Sequence, residues 1–317
     1  MLSTPRWGGA DLVPDLVSEL LSDAAPRTAV QAAGEAAEEA WDRRAPVYAR
    51  PMDLVDIHSH VLPGADDGAA TFAEAVEMLA IARAAATAEI VATPHMFAAG
   101  LGSDDAAAVR ALFDRFVERL QQLDEAAGAA ADRPRLHLGA ENYVSAELLE
   151  AMAAGRVQTL GPSRSLLVEL WPLTTASAAR HAVDRIQAAG YVPVVAHVER
   201  YRFLHERPAL LEELVGAGWV AQVNGAAVLG QDGLKTAQLA DRWLRRGLVS
   251  VIASDGHGAR VRSPALDEVR IHVESRYGAT TARLCLRDNP LALLADRPVV
   301  LPPEVPRFRW PGRRDRV

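Results

Sequence analysis

From Met52 onward, apolar positions along the chain switch between two periods in a regular rhythm. The segment DLVDIHSH opens it. Read as a strand over 54–60, it puts Val55, Ile57 and Ser59 on one face and Asp56, His58 and His60 on the other. Thr71 and Glu74 then have capping-box spacing, and Phe72, Val76, Leu79 and Arg83 recur at helical intervals, which predicts a helix to about residue 86. The next apolar run, EIVATPH, reads as a strand that must stop before Pro94. A helix opened by Ser103 or Asp104, with Val109, Leu112, Phe116 and Leu120 on one stripe, leads to the strand RLHLGAEN. Helix 146–154 leads to strand SLLVEL, helix 176–189 to YVPVVAH, helix 208–215 to WVAQVN, and helix 234–246 to LVSVIASDGH. Helices over 264–277 and 281–294 follow. Seven strands separated by helices imply parallel pairing with right-handed crossovers, an α/β fold with one barrel-sized domain over 51–302. Residues 1–50 are expected to form a partly helical N-terminal extension, and the Pro- and Arg-rich 303–317 an irregular tail.

Composition narrows the function. Asp and Glu outnumber Lys and Arg by 41 to 34, a net charge of −7, which argues against a nucleic-acid partner or an anionic membrane surface. No stretch approaches the roughly 18–20 apolar residues of a membrane span, so direct membrane insertion is not expected and a cytoplasmic location is. The single cysteine, Cys285, excludes an internal disulfide framework and a thiolate metal cluster, and reads as a small buried apolar residue.

The active site of such a fold lies where the βα loops converge, at the carboxyl ends of the strands. His58 and His60 end the first predicted strand, His95 follows the second, Glu141 ends the third, Glu169 the fourth, His197 the fifth, and Asp255 and His257 the seventh. Gln222 and Asn224 end the sixth. Any one of these has a bland explanation as a hydrogen-bonded structural residue or a helix cap. Their joint placement does not, because buried imidazoles and carboxylates without partners or cations are costly. His137, His181, His205 and His272 fall mid-strand or on helices and read as structural or surface residues. Imidazole and carboxylate ligands without thiolate suit Zn, Mn or Fe(II), and their number exceeds the needs of one ion, so two or three are expected. Ions so held activate water and neutralise phosphoryl or acyl charge, which points to metal-assisted hydrolysis.

Two barrel superfamilies open with HxH on the first strand. Amidohydrolases commonly bridge their metals with a carbamoylated lysine, but the sole lysine, Lys235, falls in a predicted helix. The stretches DIHSHVLPGADDGAATFAEAVEML, EIVATPH, GAENYV, LLVEL, VVAHVERY, AQVN and VIASDGHGARVRSP instead resemble the PHP (polymerase and histidinol phosphatase) superfamily, and within it the bacterial CpsB/CapC (YwqE-like) tyrosine-protein phosphatases. The resemblance runs from about Met52 to Pro302 and implies a distorted (βα)7 TIM-like barrel. Carried over position by position, it makes His58, His60, Asp67, His95, Glu141, Glu169, His197, Asp255 and His257 the metal ligands. Arg200 and Arg262 match phosphate-holding arginines, a role that suits a guanidinium fork. His257 is also placed to protonate a leaving oxygen. Gly64 and Gly68 allow the turn that brings Asp67 over the metals, while Asp66 reads as a turn or supporting residue and Asp56 as a support for the ligands. The family usually has proline where this chain has Val198.

By this resemblance the cofactors are two or three divalent ions, Mn²⁺ ahead of Fe²⁺, Zn²⁺ or Mg²⁺. The expected substrate is a phosphotyrosine protein, a bacterial tyrosine autokinase in capsule or exopolysaccharide biosynthesis. The alternatives are a small-molecule phosphatase of the histidinol-phosphate kind and a catalytically silent, metal-stabilised regulatory module; a nuclease fits the acidic balance less well.

Overall fold

The structure, a computed structural model, describes residues 52–128 and 130–306. The extension expected over 1–50 and most of the tail expected over 303–317 lie outside the described residues.

Every strand pairing is parallel. Strands β1 (Leu54–Ser59), β2 (Thr87–Ala92) and β4 (Arg135–Leu138) form one sheet in the order β1-β2-β4. Strands β3 (His95–Met96), β5 (Glu141–Tyr143), β6 (Ser165–Glu169), β7 (Val192–Val195), β8 (Val220–Asn224) and β9 (Val251–Ala253) form the other, in that order. The two are parts of one curl. The chain of β2 continues into β3 across Thr93–Pro94 and that of β4 into β5 across Gly139–Ala140, with Gly139 N–H donating to Ala92 O at 2.8 Å and Glu141 N–H to Pro94 O at 3.0 Å. At the other edge, Asp255 N–H donates to His58 O at 2.8 Å and His60 N–H to Gly256 O at 2.7 Å, joining the end of β1 to the segment after β9. The result is a curled parallel α/β sheet whose edges meet at its carboxyl end.

The second strand stops before Pro94 as expected, since Pro94 has no N–H to offer the ladder, whereas the strand expected through RLHLGAEN is interrupted at Gly139–Ala140. A Cβ on Gly139 would lie 2.8 Å from Val91 Cγ1 and 2.9 Å from Leu160 Cδ2, so the chain passes closer there than a regular strand with side chains allows. The fifth and seventh strands are also shorter than expected, ending at Val195 and Ala253, so His197, Asp255 and His257 sit on the loops beyond.

All six residues of β1 are buried, as in a parallel strand covered on both faces. Val55 and Ile57 join an apolar cluster with Val91, Leu167, Val194 and Val251. Helix α1 (Phe72–Ala84) starts where expected: Thr71 Oγ1 accepts from Glu74 N–H at 3.2 Å, and the Glu74 carboxylate turns back to Ala70 N–H rather than to that of Thr71. Such a cap contributes about 1 kcal/mol and fixes where the chain leaves the loop after His60. The helix expected over 281–294 is instead a short α-helix (Ala279–Arg283), a π turn (Leu284–Asp288) and a last α-helical turn (Asn289–Leu294). Around this widened turn Cys285 Sγ reaches Val249 O at 3.3 Å and Asn289 Nδ2 reaches Ser250 O at 2.8 Å, tying the helix to the segment that enters β9. Cys285 is buried, and burial pushes its thiol well above the usual range, so it is inert.

Candidate metal centre

The loop after β1 is folded back on itself. Gly64 has φ +68°, and a Cβ on Gly68 would lie 2.1 Å from His60 O, so only glycine lets the loop close this tightly. Asp66 holds the turn: its carboxylate accepts from His60 Nδ1 at 2.7 Å, His95 N–H at 2.8 Å and Gly68 N–H at 2.9 Å. The bond to Nδ1 turns His60 Nε2 toward the centre of the cluster. Asp67, half exposed, is thereby brought within 3.6 Å of His95 Nε2 and 3.5 Å of His257 Nε2. A Cβ on Gly102 would lie 1.9 Å from His95 O, so the loop after β3 closes over His95 in the same manner.

Glu141 is the hub. Its Oε2 lies 3.3 Å from His58 Nε2, 3.4 Å from His60 Nε2 and 3.2 Å from His95 Nδ1, and its Oε1 lies 2.8 Å from His197 Nε2. Asp255 Oδ1 lies 3.3 Å from His58 Nε2 and 3.5 Å from His60 Nε2, while Glu169 approaches His95 and His197 at 3.9 and 3.8 Å. Ligand atoms gather in three overlapping groups: His60, Asp67, His95 and His257; His58, His60, Glu141 and Asp255; and His95, Glu141 and Glu169. His197 stands outside these groups but against the same carboxylates.

The atoms at the centre fit cations better than they fit each other. Asp255 Oδ1, His95 Nδ1 and His197 Nδ1 are buried without a hydrogen-bond partner among the described residues. Burial alone would raise the Glu141 and Asp255 carboxyls, yet their neighbours, His58 foremost, hold both well below the usual carboxylate range. Glu169 goes the other way, pushed up to about 8 by burial and then by the Glu141 charge. Burial lowers the imidazoles of His58 and His60, but Glu141 and Asp255 about the first, and Asp255 and Asp66 about the second, outweigh it and raise both. Burial, and next the His60 charge, takes His257 down to about 4, and burial also lowers His95 and His197. Those three are thus mainly neutral at pH 7, the form that binds metal. Acids held charged, one acid pushed toward neutrality by burial and then by a like charge, and imidazoles divided between the two states form a donor set that fits divalent cations.

Asp255 faces two ways. Its Oδ2 accepts from Asn224 Nδ2 at 2.7 Å, from Arg200 at 3.0 Å and from Arg262, while Oδ1 looks into the cluster. Arg200 thus pairs with Asp255 and not with its neighbour Glu199, and Arg262 is not a free loop charge. His197, Asp255 and Arg262 all have positive φ, at 32°, 52° and 52°, and each such residue costs about 1–3 kcal/mol that the surrounding structure must offset. The AHVERY segment forms a 3₁₀ turn, Val198–Arg200, with Val198 buried.

The sequence left three contributors without a role. Gln222 Oε1 accepts from His58 Nδ1 at 3.1 Å and from His197 N–H at 2.9 Å, which turns His58 Nε2 inward. Its Nε2 in turn donates to Asn224 Oδ1 at 2.8 Å, so the amides ending β8 orient the ligands of β1 and β9. Ser254 Oγ donates to Asp56 at 2.5 Å, and burial raises that carboxyl to about 6. The detectable signal was a pair of amides at alternate positions, 222 and 224, at the end of an otherwise apolar strand. His137 pairs with Glu89, and His205 contacts Glu199 O, both structural as expected.

The sequence profile described as "Capsular polysaccharide synthesis, CpsB/CapC" matches residues 54–295. The tyrosine-protein phosphatase YwqE of Bacillus subtilis (strain 168) is 29% identical over 255 residues, 80% of this chain and 96% of that protein. The tyrosine-protein phosphatase CpsB of Streptococcus pneumoniae is 28% identical over 249 residues, 77% of this chain and 99% of that protein. A solved structure described as belonging to "YwqE from Bacillus subtilis and CpsB from Streptococcus pneumoniae, unique metal-dependent tyrosine phosphatases" superposes with a TM-score of 0.71 at 28% identity, covering 81% of this chain and 100% of that one. The matched span contains β1 to β9 and every residue of the cluster, and the chain belongs to the CpsB/CapC family.

Proposed function

We propose that this chain is a metal-dependent phosphomonoester hydrolase that removes phosphate from tyrosine in proteins, on a distorted (βα)7 barrel over about 51–302. The observation that carries the reading is the convergence of His58, His60, Asp67, His95, Glu141, Glu169, Asp255 and His257 into three overlapping groups, bordered by Arg200 and Arg262. Those eight residues and His197 would hold two or three divalent ions, Mn²⁺ first. Bound there, the ions would supply Lewis-acid activation of water and neutralise phosphoryl charge.

The chain's own groups do the rest. Arg200 and Arg262, both about one-third exposed, present guanidinium forks at the cluster edge and can each pair phosphate oxygens while keeping contact with Asp255. Gln222, Asp66 and the carbonyl of Asp255 fix the tautomers of His58, His60 and His257, so the ligand atoms are oriented before substrate arrives. With its Nδ1 directed at Asp255 O and its imidazole neutral, His257 takes the ligand role ahead of the proton-donor role expected from the sequence. A phenolate leaves with little acid assistance, which matches a site without a dedicated proton donor. The relatives' names favour a protein substrate linked to capsule synthesis, for which a bacterial tyrosine autokinase is the proposed partner.

Phosphate release from phosphotyrosine peptides with Mn²⁺ supplied tests this reading. Faster turnover of phosphopeptide than of histidinol phosphate supports it. The reverse order would make the protein a small-molecule phosphatase, and bound metal without turnover of either would make it a silent module.

A further inference from the structure

Beside the cluster lies a cavity of about 230 Å³ lined by three arginines, Arg200, Arg260 and Arg262, together with Asn224, Ser254 and Asp232. Two of the three guanidiniums share the one carboxylate of Asp255. Arg260 has no ion pair or hydrogen bond among the described residues, although its loop is closed by a hydrogen bond that His257 N–H donates to Arg262 O at 2.8 Å. The one acid on the cavity wall, Asp232, is exposed, acts also on Arg200, and cannot balance the cationic lining by itself. An uncompensated guanidinium held in a cavity with two others is a disposition toward an anionic ligand.

Resting on the phosphatase reading above, we propose that Arg260 is a specificity-determining residue that recognises an acidic side chain near the phosphotyrosine of the substrate. The phosphate engages Arg200 and Arg262 at the cluster edge, and Arg260 is left for a second negative group on the same peptide. An extended peptide advances about 3.3–3.6 Å per residue, so a group across this small cavity belongs to a residue one or two positions away. Arg260 is exposed and unpaired, so its replacement leaves packing and the metal ligands intact.

The test measures kcat and KM of the full chain with Mn²⁺ on three substrates: phosphotyrosine itself, a phosphopeptide flanked by glutamates, and the same peptide flanked by alanines. The wild type is expected to prefer the acidic peptide. Arg260→Ala is expected to raise KM for that peptide by about two- to five-fold, the scale of one exposed charge pair, with kcat and the other two substrates unchanged. Arg260→Lys should restore part of the preference, and 0.5 M salt should erase it. An equal effect of Arg260→Ala on all three substrates, or none on the acidic peptide, overturns the proposal. No turnover of any substrate by the wild type would remove the phosphatase reading, and this inference with it.

Discussion

Two parts of the molecule gather ionisable side chains, and they differ in what they leave unmet. Around Asp241, Arg276 donates to the carboxylate at 2.8 Å, Tyr277 at 2.9 Å and Arg245 at 3.2 Å, so each donor finds an acceptor within the protein. At the mouth, Glu141 and Glu169 face one another, and Asp255 Oδ1, His95 Nδ1 and His197 Nδ1 are buried without a hydrogen-bond partner among the described residues. The first arrangement is complete as it stands and ties the helix Leu234–Arg245 to the helix Asp267–Tyr277. The second leaves groups unmatched that could hold metal ions. The number of charges does not separate a structural network from a site; unmatched lone pairs do.

That contrast can be broken most sharply at Glu141. Glu141→Gln keeps the shape but removes the charge shared by two of the three ligand groups, and kcat/KM on a phosphotyrosine peptide should fall by at least about 10³-fold, the several kcal/mol that metal activation supplies. Arg200→Ala should lower kcat/KM by about 10- to 100-fold with metal content unchanged, the worth of one charged hydrogen bond, and Arg200→Lys should fall between. Chelation should lower the thermal midpoint by roughly 5–8 °C, because ions bound only by the folded chain stabilise it, and readdition of Mn²⁺ should restore it.

The smallest effect belongs to the other region. Asp241→Asn should cost about 1 kcal/mol in urea unfolding and leave turnover within about two-fold. Burial raises the Asp241 carboxyl, but Arg276, Arg245 and Tyr277 together bring it below its ordinary 3.8. Because the folded value is depressed, the contribution is fully present above the unfolded value and lost as pH falls through the folded one. The stability gap between wild type and Asp241→Asn should therefore be flat from pH 6 to 8 and shrink below about pH 4.

The strand ends carrying His58, His60, Glu141 and Glu169 were legible because a buried parallel strand leaves few polar positions, and those few stand out against Leu, Val and Ile. Asp67, Arg200 and Arg262 came from the likeness to a family, since an exposed Asp or Arg on a loop has no periodic signal. The breaks at Pro94 and Gly139 were half legible: proline announces itself, but the crowding of Gly139 by Val91 and Leu160 depends on contacts between distant segments. Gln222 was visible yet unassigned, since its two partners, His58 and His197, lie on other strands and loops. The π turn at Leu284–Asp288 has no pattern of its own and arises where the helix meets the segment entering β9.

The most direct measurement is elemental analysis of the purified protein paired with phosphotyrosine turnover, before and after chelation and in Glu141→Gln. At least two divalent ions per chain, lost together with activity on chelation and reduced in the variant, is the predicted result. Fewer than one ion per chain, with turnover that survives chelation, would contradict the account.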